Sequence, residues 1–445
     1  MPTRTPNAAP PRFVTFGRMA LFAGLFFLSI DLMGGGMKES FKAPLKAYLN
    51  EHASDFNPLV SFVIGILGTS LVQSSSTVTS MAVVLAEDGI VPLVIAIGIV
   101  HGANLGTSVT SSIVAFFADA PAVNGNPARW ARDMLFEKRG PGFRRAVSTA
   151  IVHGMFNVIL VTGIMLTLEL PFGAIDAFAA FTAEGIAGVA GAASGALWIF
   201  DWVKPSAYTK PVVKGLLSAG VPGWLAVILG FMALFGALRG FAKTVSNALV
   251  SAGERQDPRA IGEKLLGRSA ADTFMRGLVL TIMVQSSSAT TSMIVPLAAM
   301  GFFSLRQVLP FIMGANIGTT TTAIIAASAS LGEPGFEAAM TIALCHFYLN
   351  TLAVVLVVLF PPLRESILAA TEWVVSAADR SPSWLALYLG MLSVGLPVIV
   401  YALPEPAAAL LLGALVLVMV IGPRLMGVRS PDDGEPPTDP LALSV

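Results

Sequence analysis

Two ten-residue stretches constrain this chain more than any other feature. LVQSSSTVTS (Leu71–Ser80) and MVQSSSATTS (Met283–Ser292) lie 212 residues apart, each inside an otherwise apolar block. GANLGTS at 102–108 returns as GANIGTT at 314–320 with the same offset of 212. HGMFN at 153–157 is echoed by HFYLN at 346–350, an offset of 193. The 19-residue difference corresponds to a longer basic loop, 118–145, in the first half. Three ordered matches, two in one register, define two homologous halves at 13–168 and 221–360.

Both halves are too apolar for a soluble fold. The chain is 55% hydrophobic and 12% charged, against about 25% charged for ordinary globular domains. The apolar residues come in blocks of about 20 or more, enough to cross a hydrocarbon layer roughly 30 Å thick, and most lack a polar stripe at helical spacing. We expect spans near 13–36, 90–117, 146–168, 221–242, 306–329, 337–360, 384–402 and 405–422. A polar stretch follows the first span at 38–57. The first block runs past signal-peptide length without a clear cleavage pattern and reads as a retained span. Lysines plus arginines equal aspartates plus glutamates at 27 each, which gives no sign of a nucleic-acid partner. A single cysteine, Cys345, excludes an internal disulfide or a multi-cysteine metal site. The four histidines, His52, His101, His153 and His346, are scattered. No transition-metal site, catalytic group or organic cofactor is expected. His153 and His346 read as hydrogen-bonding groups, and His101, which Met313 replaces in the second half, as incidental.

Charge sets the orientation, because Lys and Arg favour cytoplasmic loops. The tail 1–12, the loop 118–145 and the stretch 243–276 are basic and belong inside. With one outward span before it, the block 58–88 must start and end outside, as a re-entrant hairpin. The block 273–300 starts inside and, read as a hairpin too, ends inside. The segment 174–200, with Asp176 and Glu184, reads as an interfacial or partly buried outer element, within a connecting region 169–220. The expected fold is an all-α polytopic membrane protein. It has two inverted-topology repeats, each carrying a QSSS hairpin. A C-terminal helical pair within 361–422 follows, then a disordered tail, 423–445. Both termini would be cytoplasmic, in a cell (inner) membrane.

The serines then acquire a use. Inside hydrocarbon every backbone polar group needs a partner. A hairpin tip leaves free N–H groups at the start of its second limb, which favour an anion. Serine hydroxyls add donors, and their oxygens, with the Gln carbonyl, suit Na+. Two tips entering from opposite faces would build one central site. In the second element, the glycines permit unwinding or close helix approach. Asn104 and Asn316 can cap a broken helix or face the site, and Thr107, Thr319 and Thr322 supply hydroxyls. Asp31, in the first span, is a further candidate for an ion.

VQSSSTVTS, GANLGTSVTSSIVAFF, FRRAVSTAIVHGMFN, VQSSSATTS, GANIGTTTTAIIAA and ALCHFYLN together resemble the type II sodium-dependent phosphate cotransporter family, bacterial branch. The resemblance covers about residues 15–170 and 221–360. It implies Na+-coupled symport of inorganic phosphate, with sodium and phosphate as partners beside membrane lipid. By position it implies that Gln73, Ser74 and Ser75, with Ser286 and Ser287, hold phosphate. Gln285, Ser286, Thr319 and Thr322 would contribute to a sodium site. Ser76 and Ser288 complete the two serine triplets of the expected phosphate set. Asn104, Thr107 and Asn316 join the expected sodium set. The connecting region 169–220 lacks the large disulfide-bonded loop of animal members, and no C-terminal phosphate-regulator domain of the kind some bacterial members append is expected.

Other readings remain open on the residues alone. The same architecture could carry sulfate or a carboxylate. A serine hydrolase would need one nucleophile and one aligned base, whereas both elements are duplicated. A passive channel would more often draw its filter from several subunits.

Overall fold

The computed structural model describes residues 12–52, 57–87, 91–118, 127–137, 139–189, 205–230, scattered positions between 232 and 263, 265–328 and 335–428. Every regular element among them is helical. Six helices are long and apolar enough to cross a membrane. They are α4 (Leu93–Phe117), α6 (Pro141–Phe172), α11 (Leu305–Ser328), α12 (Phe336–Leu359), α14 (Ser383–Ala402) and α15 (Glu405–Leu425). The protein is therefore a polytopic helical membrane protein. The other elements are α1 (Arg12–His52), α2 (Pro58–Val72), α3 (Ser75–Glu87), α5 (Pro127–Phe136), α7 (Ala174–Val189), α8 (Pro205–Ser218), α9 (Ala270–Val284), α10 (Ser287–Ala299) and α13 (Pro361–Ala378).

The helix ends follow local chemistry. Asn57 caps α2 by accepting the Val60 amide at 2.8 Å, with Pro58 at the first helical position. Ser269 caps α9 by accepting the Asp272 amide at 3.1 Å. Gly173, at φ 54°, ends α6 and lets the chain turn into α7. Within α6, Asn157–Val161 and Met165–Glu169 are wound as π-helix, an insertion that often marks functional positions.

The 212-residue repeat is a repeat of one helix–helix interface. α2 lies parallel to α4, and α9 parallel to α11, at distances only glycine allows. A Cβ on Gly65 would sit 2.0 Å from the Ile99 carbonyl oxygen, and one on Gly277 2.1 Å from that of Phe311. A Cβ on Gly102 would meet the Phe62 oxygen at 1.7 Å, and one on Gly314 the Phe274 oxygen at 2.0 Å. Gly106 abuts Thr69 as Gly318 abuts Thr281. The glycines of GAN(L/I)GT thus serve close approach. Asn104 and Asn316 sit inside unbroken helices and cap nothing.

The halves are interleaved. α3 packs on α11 and α12 of the second half, and α10 packs on α4 and α6 of the first. Four polar contacts fix which helix ends share a face. Arg145, at the start of α6, donates to the Ala299 carbonyl at the end of α10, at 2.8 Å. Arg144 binds Glu372 of α13 and Asp379 just after it. Arg306, at the start of α11, holds Glu365 of α13 through two bonds of 2.9 and 2.8 Å. Arg424 of α15 donates to Ser366 at 2.9 Å. At the other face, Pro58, Val94 and Glu169 border one cavity, and Gly335, just before α12, lies against Glu87 at the end of α3.

Three sequence expectations change. The first helix does not stop near residue 36 but continues through the stretch read as polar, to His52. The basic loop contains α5. The C-terminal region is more than a helical pair, because α13 precedes it. α13 buries Ile367, Leu368, Ala370 and Val375, but Arg364, Glu365 and Glu372 interrupt its apolar run, so no span was expected there. α7 falls in the segment 174–200 read as interfacial and packs on α12, while residues 190–200 of that segment lie outside the described residues. So do residues 1–11 of the expected tail 1–12 and residues 429–445 of the expected disordered tail 423–445, whose first residues instead complete α15 to Leu425.

Replacing Gly102 or Gly314 with Ala should push two helices apart, costing about 1–3 kcal/mol, as overpacking does. Gly185→Ala in α7, which has open space around it, should leave thermal unfolding in detergent unchanged. Equal melting temperatures for all three variants would contradict the close-approach interface.

Candidate functional site

Each half contains one helix break, and the two breaks have the same geometry. Gln73 ends α2 at φ 56°, ψ 26°, and Gln285 ends α9 at φ 55°, ψ 32°. They are the only non-glycine residues with positive φ among those described. L-residues rarely adopt this left-handed conformation, which costs roughly 1 kcal/mol or more. The Gln73 amide donates to the Thr69 carbonyl at 2.8 Å and the Gln285 amide to that of Thr281 at 2.7 Å. After each break a serine opens the next helix. Ser74 accepts the Thr77 amide at 3.3 Å, and Ser286 accepts the Ala289 amide at 3.2 Å.

The tips meet. The Ser76 hydroxyl donates to the Gln285 carbonyl at 3.3 Å. Gln73, Ser75, Ser287 and Ser288 are buried there. Several polar atoms nonetheless lack a partner: Gln73 Oε1, Gln285 Nε2, Ser288 Oγ, and the hydroxyls of Thr69 and Thr281 behind the breaks. Gln73 Nε2 is occupied, donating to the Ser70 carbonyl. Unpartnered donors and acceptors buried together cost about 1–3 kcal/mol each, and a polar ligand would satisfy them. The N-termini of α3 and α10 add backbone N–H groups at the same place.

Beside the tips runs a polar network that exchanges partners between the halves. His346 Nε2, in the second half, donates to Asn104 Oδ1 of the first at 3.1 Å. His153 Nε2, in the first half, donates to Asn316 Oδ1 of the second at 2.9 Å. Asn157 donates to the Asn104 carbonyl at 2.7 Å and accepts from Asn316 Nδ2 at 3.0 Å. Asn350 donates to Asn104 Oδ1 at 3.2 Å. Each Asn Oδ1 accepts, so each histidine carries its proton on Nε2. The echo of HGMFN in HFYLN is thereby explained: His and Asn one turn apart share a helix face. The histidines were legible as hydrogen-bonding groups, while Asn157 and Asn350 went unassigned in the sequence although the repeat marked both.

The threonines of the second element bond to their own helices. Thr107 donates to the Ala103 carbonyl at 2.8 Å, Thr319 to that of Ala315 at 2.9 Å, and Thr322 to that of Thr319 at 2.7 Å. A hydroxyl whose proton is engaged presents only lone pairs elsewhere, the right polarity for a cation. Asp31 lies apart from this centre, bonded to Thr209 of α8.

The fold and this centre define a multi-pass membrane protein with a duplicated, buried, polar tip pair. The profile of the Na+/Pi-cotransporter family matches residues 25–128 and 242–400, and the chain belongs to that family. It is 27% identical over 453 residues to sodium-dependent phosphate transport protein 2A of Ovis aries, covering 86% of this chain and 67% of the relative. It is 26% identical over 514 residues to protein 2B of Homo sapiens, covering 94% and 70%. Against protein 2C of Homo sapiens it is 41% identical over 119 residues, covering 26% and 20%. No solved structure matches the chain.

A double-mutant cycle tests the exchanged network. His153→Ala and Asn316→Ala should each destabilise the protein in detergent, with a coupling of about 0.5–3 kcal/mol between them. Additive losses would mean that the bond contributes nothing.

Proposed function

We propose that the protein is a sodium-coupled symporter of inorganic phosphate, with one phosphate held between the two tips. The observation that carries this reading is the contact of two equivalent helix breaks around polar atoms that have no partner. The names of the relatives supply the solutes, sodium and phosphate. Ser75, Ser76, Ser287 and Ser288, with Gln73, Ser74 and Ser286, would offer hydroxyl and backbone donors to the phosphate oxygens. Gln285, Thr319 and Thr322, with Ser286 and Thr107, would offer neutral oxygens to Na+, while Asn104 and Asn316, whose Oδ1 atoms accept from the histidines, would position the helices that carry these threonines. No carboxylate is needed there, because the phosphate brings the negative charge.

The structure supports an alternating-access reading with two re-entrant hairpins of opposite entry. α2 and α4 start on the face where α6 ends, whereas α10 ends, and α11 starts, on the face where α6 begins. α9 runs parallel to α11 and so begins on that second face too. The basic residues Arg144, Arg145 and Arg306 gather at that face, which we assign to the cytoplasm of a cell (inner) membrane.

In proteoliposomes, an inward Na+ gradient should drive uptake of labelled phosphate, and choline in its place should abolish it. Ser75→Leu and Ser287→Leu should each remove uptake while leaving monodisperse protein. Thr319→Ala or Gln285→Ala should raise the Na+ concentration for half-maximal uptake. Uptake indifferent to Na+ would defeat the symport reading, and sulfate uptake in preference to phosphate would support the other-anion reading. Single cysteines at Asn57 and Glu87 should react with an impermeant reagent from one side only, and those at Ser269 and Ser304 from the other. Labelling of the two ends of either hairpin from opposite sides would defeat the topology.

A further inference from the structure

Between the end of α4 and the start of α6 stands α5, PARWARDMLF, which is held to the bundle from two sides. Arg139, just after it, donates to the carbonyls of Met134 in α5 and Phe116 in α4, at 2.6 and 2.5 Å. Its guanidinium also lies over the rings of Phe116 and Phe143. The Ser381 hydroxyl, in the turn between α13 and α14, donates to the Leu135 carbonyl at 3.0 Å. Met134 is buried. α5 therefore sits at the face where α6 begins, the one that Arg144, Arg145 and Arg306 share.

The outer side of α5 is chemically mixed. Arg129, Arg132 and Phe136, at spacings of three and four, share one helix face, and all three are exposed. Phe136 is 64% exposed. An aromatic ring between two guanidinium groups fits neither bulk water nor pure hydrocarbon, but it fits the headgroup region, where charge meets acyl chain. Asp133 and Glu137 are the acidic residues beside this face. Arg132 pairs with Asp133 at 2.9 Å, yet its side chain stays 66% exposed, and a pair so open to solvent is weak. Two neighbours extend the patch. Arg380, next to Ser381, is exposed. Trp384, in the first turn of α14, is 50% exposed, and tryptophan at the end of a span marks the headgroup level. From Trp384 an apolar track continues along α14, where Leu387, Met391, Val394 and Val398 are all exposed.

We propose that α5, the turn between α13 and α14 and the start of α14 form a binding surface for one anionic phospholipid of the adjoining leaflet. Arg129, Arg132 and Arg380 hold its phosphate through charge-assisted hydrogen bonds. Phe136 and Trp384 pack at the level of its glycerol, and its acyl chains follow the apolar track of α14. The charge at the head and the track below it together select a lipid. A free anion has no use for the track, and a soluble acidic partner would leave it bare. Arg139 ties α5 to the end of α4 and the start of α6, so lipid held here bears on both helices. The inference requires only that the chain is embedded in a membrane, and it stands or falls separately from the symport reading.

Native mass spectrometry of the purified full-length protein, titrated in detergent with phosphatidylglycerol or with phosphatidylcholine of the same chains, tests the surface. One phosphatidylglycerol should bind more tightly than phosphatidylcholine. Arg129→Gln, Arg132→Gln and Arg380→Gln, all at exposed positions, should each weaken that lipid roughly fivefold and leave phosphatidylcholine binding unchanged. Glycerol phosphate, the headgroup without chains, should not displace the lipid. A spin label on the Phe136→Cys variant, in nanodiscs containing phosphatidylglycerol, should be relaxed by oxygen and shielded from a water-soluble nickel chelate. The native Cys345 is buried and does not compete for the label. Equal affinity for the two lipids would overturn the proposal, as would phosphatidylglycerol binding that survives all three substitutions together. Displacement by glycerol phosphate would assign the patch to a free anion, and a label open to the nickel chelate would leave it to a soluble partner; either result overturns the lipid assignment.

Discussion

A helix broken inside hydrocarbon leaves backbone groups that lipid cannot satisfy, and the rest of this structure depends on how two such breaks are held. At Gln73 and Gln285 the chain takes a left-handed turn that glutamine does not favour. Each break is closed from behind by a backbone bond to a threonine carbonyl and from ahead by a capping serine. What remains unsatisfied is gathered where the tips touch. A strained, incompletely bonded backbone is costly to keep. Its occurrence twice, in the same geometry and in mutual contact, supports the proposed ligand site between the tips.

The surrounding helices make those breaks possible. α4 and α11 bring glycines against the first limbs at distances no other residue permits. The second limbs cross into the opposite half, and the His–Asn pairs cross with them. Neither half can therefore complete its own tip. The Arg144 and Arg306 bonds to α13 tie the start of α6 and the start of α11 to one external helix at a single face. A motion that opens one face must work against these ties or carry α13 with it.

The legible part of this arrangement was whatever the repeat encoded. Gln73 and Gln285, the serines that follow them and the glycines of GAN(L/I)GT could be placed because each occurs twice in one register. The six long apolar helices followed from hydrophobic length. Less legible were elements whose pattern is mixed. α13 buries Ile367 and Leu368 but carries Arg364, Glu365 and Glu372 among its apolar residues, so hydrophobic length alone marked no span there. The role of Asn104 was ambiguous, since a cap and a cross-half hydrogen bond require the same side chain. His101, Glu169 and Asp176 have no counterparts in the repeat, and only the tertiary fold brings them to one cavity.

The central claim is that two half-sites make one phosphate site. Equilibrium binding of labelled phosphate to the purified protein, at saturating Na+, tests it by stoichiometry. One phosphate should bind per chain, and binding should be lost completely when the serines of either tip are replaced. Two phosphates per chain, or a residual half of the binding after one tip is altered, would contradict it.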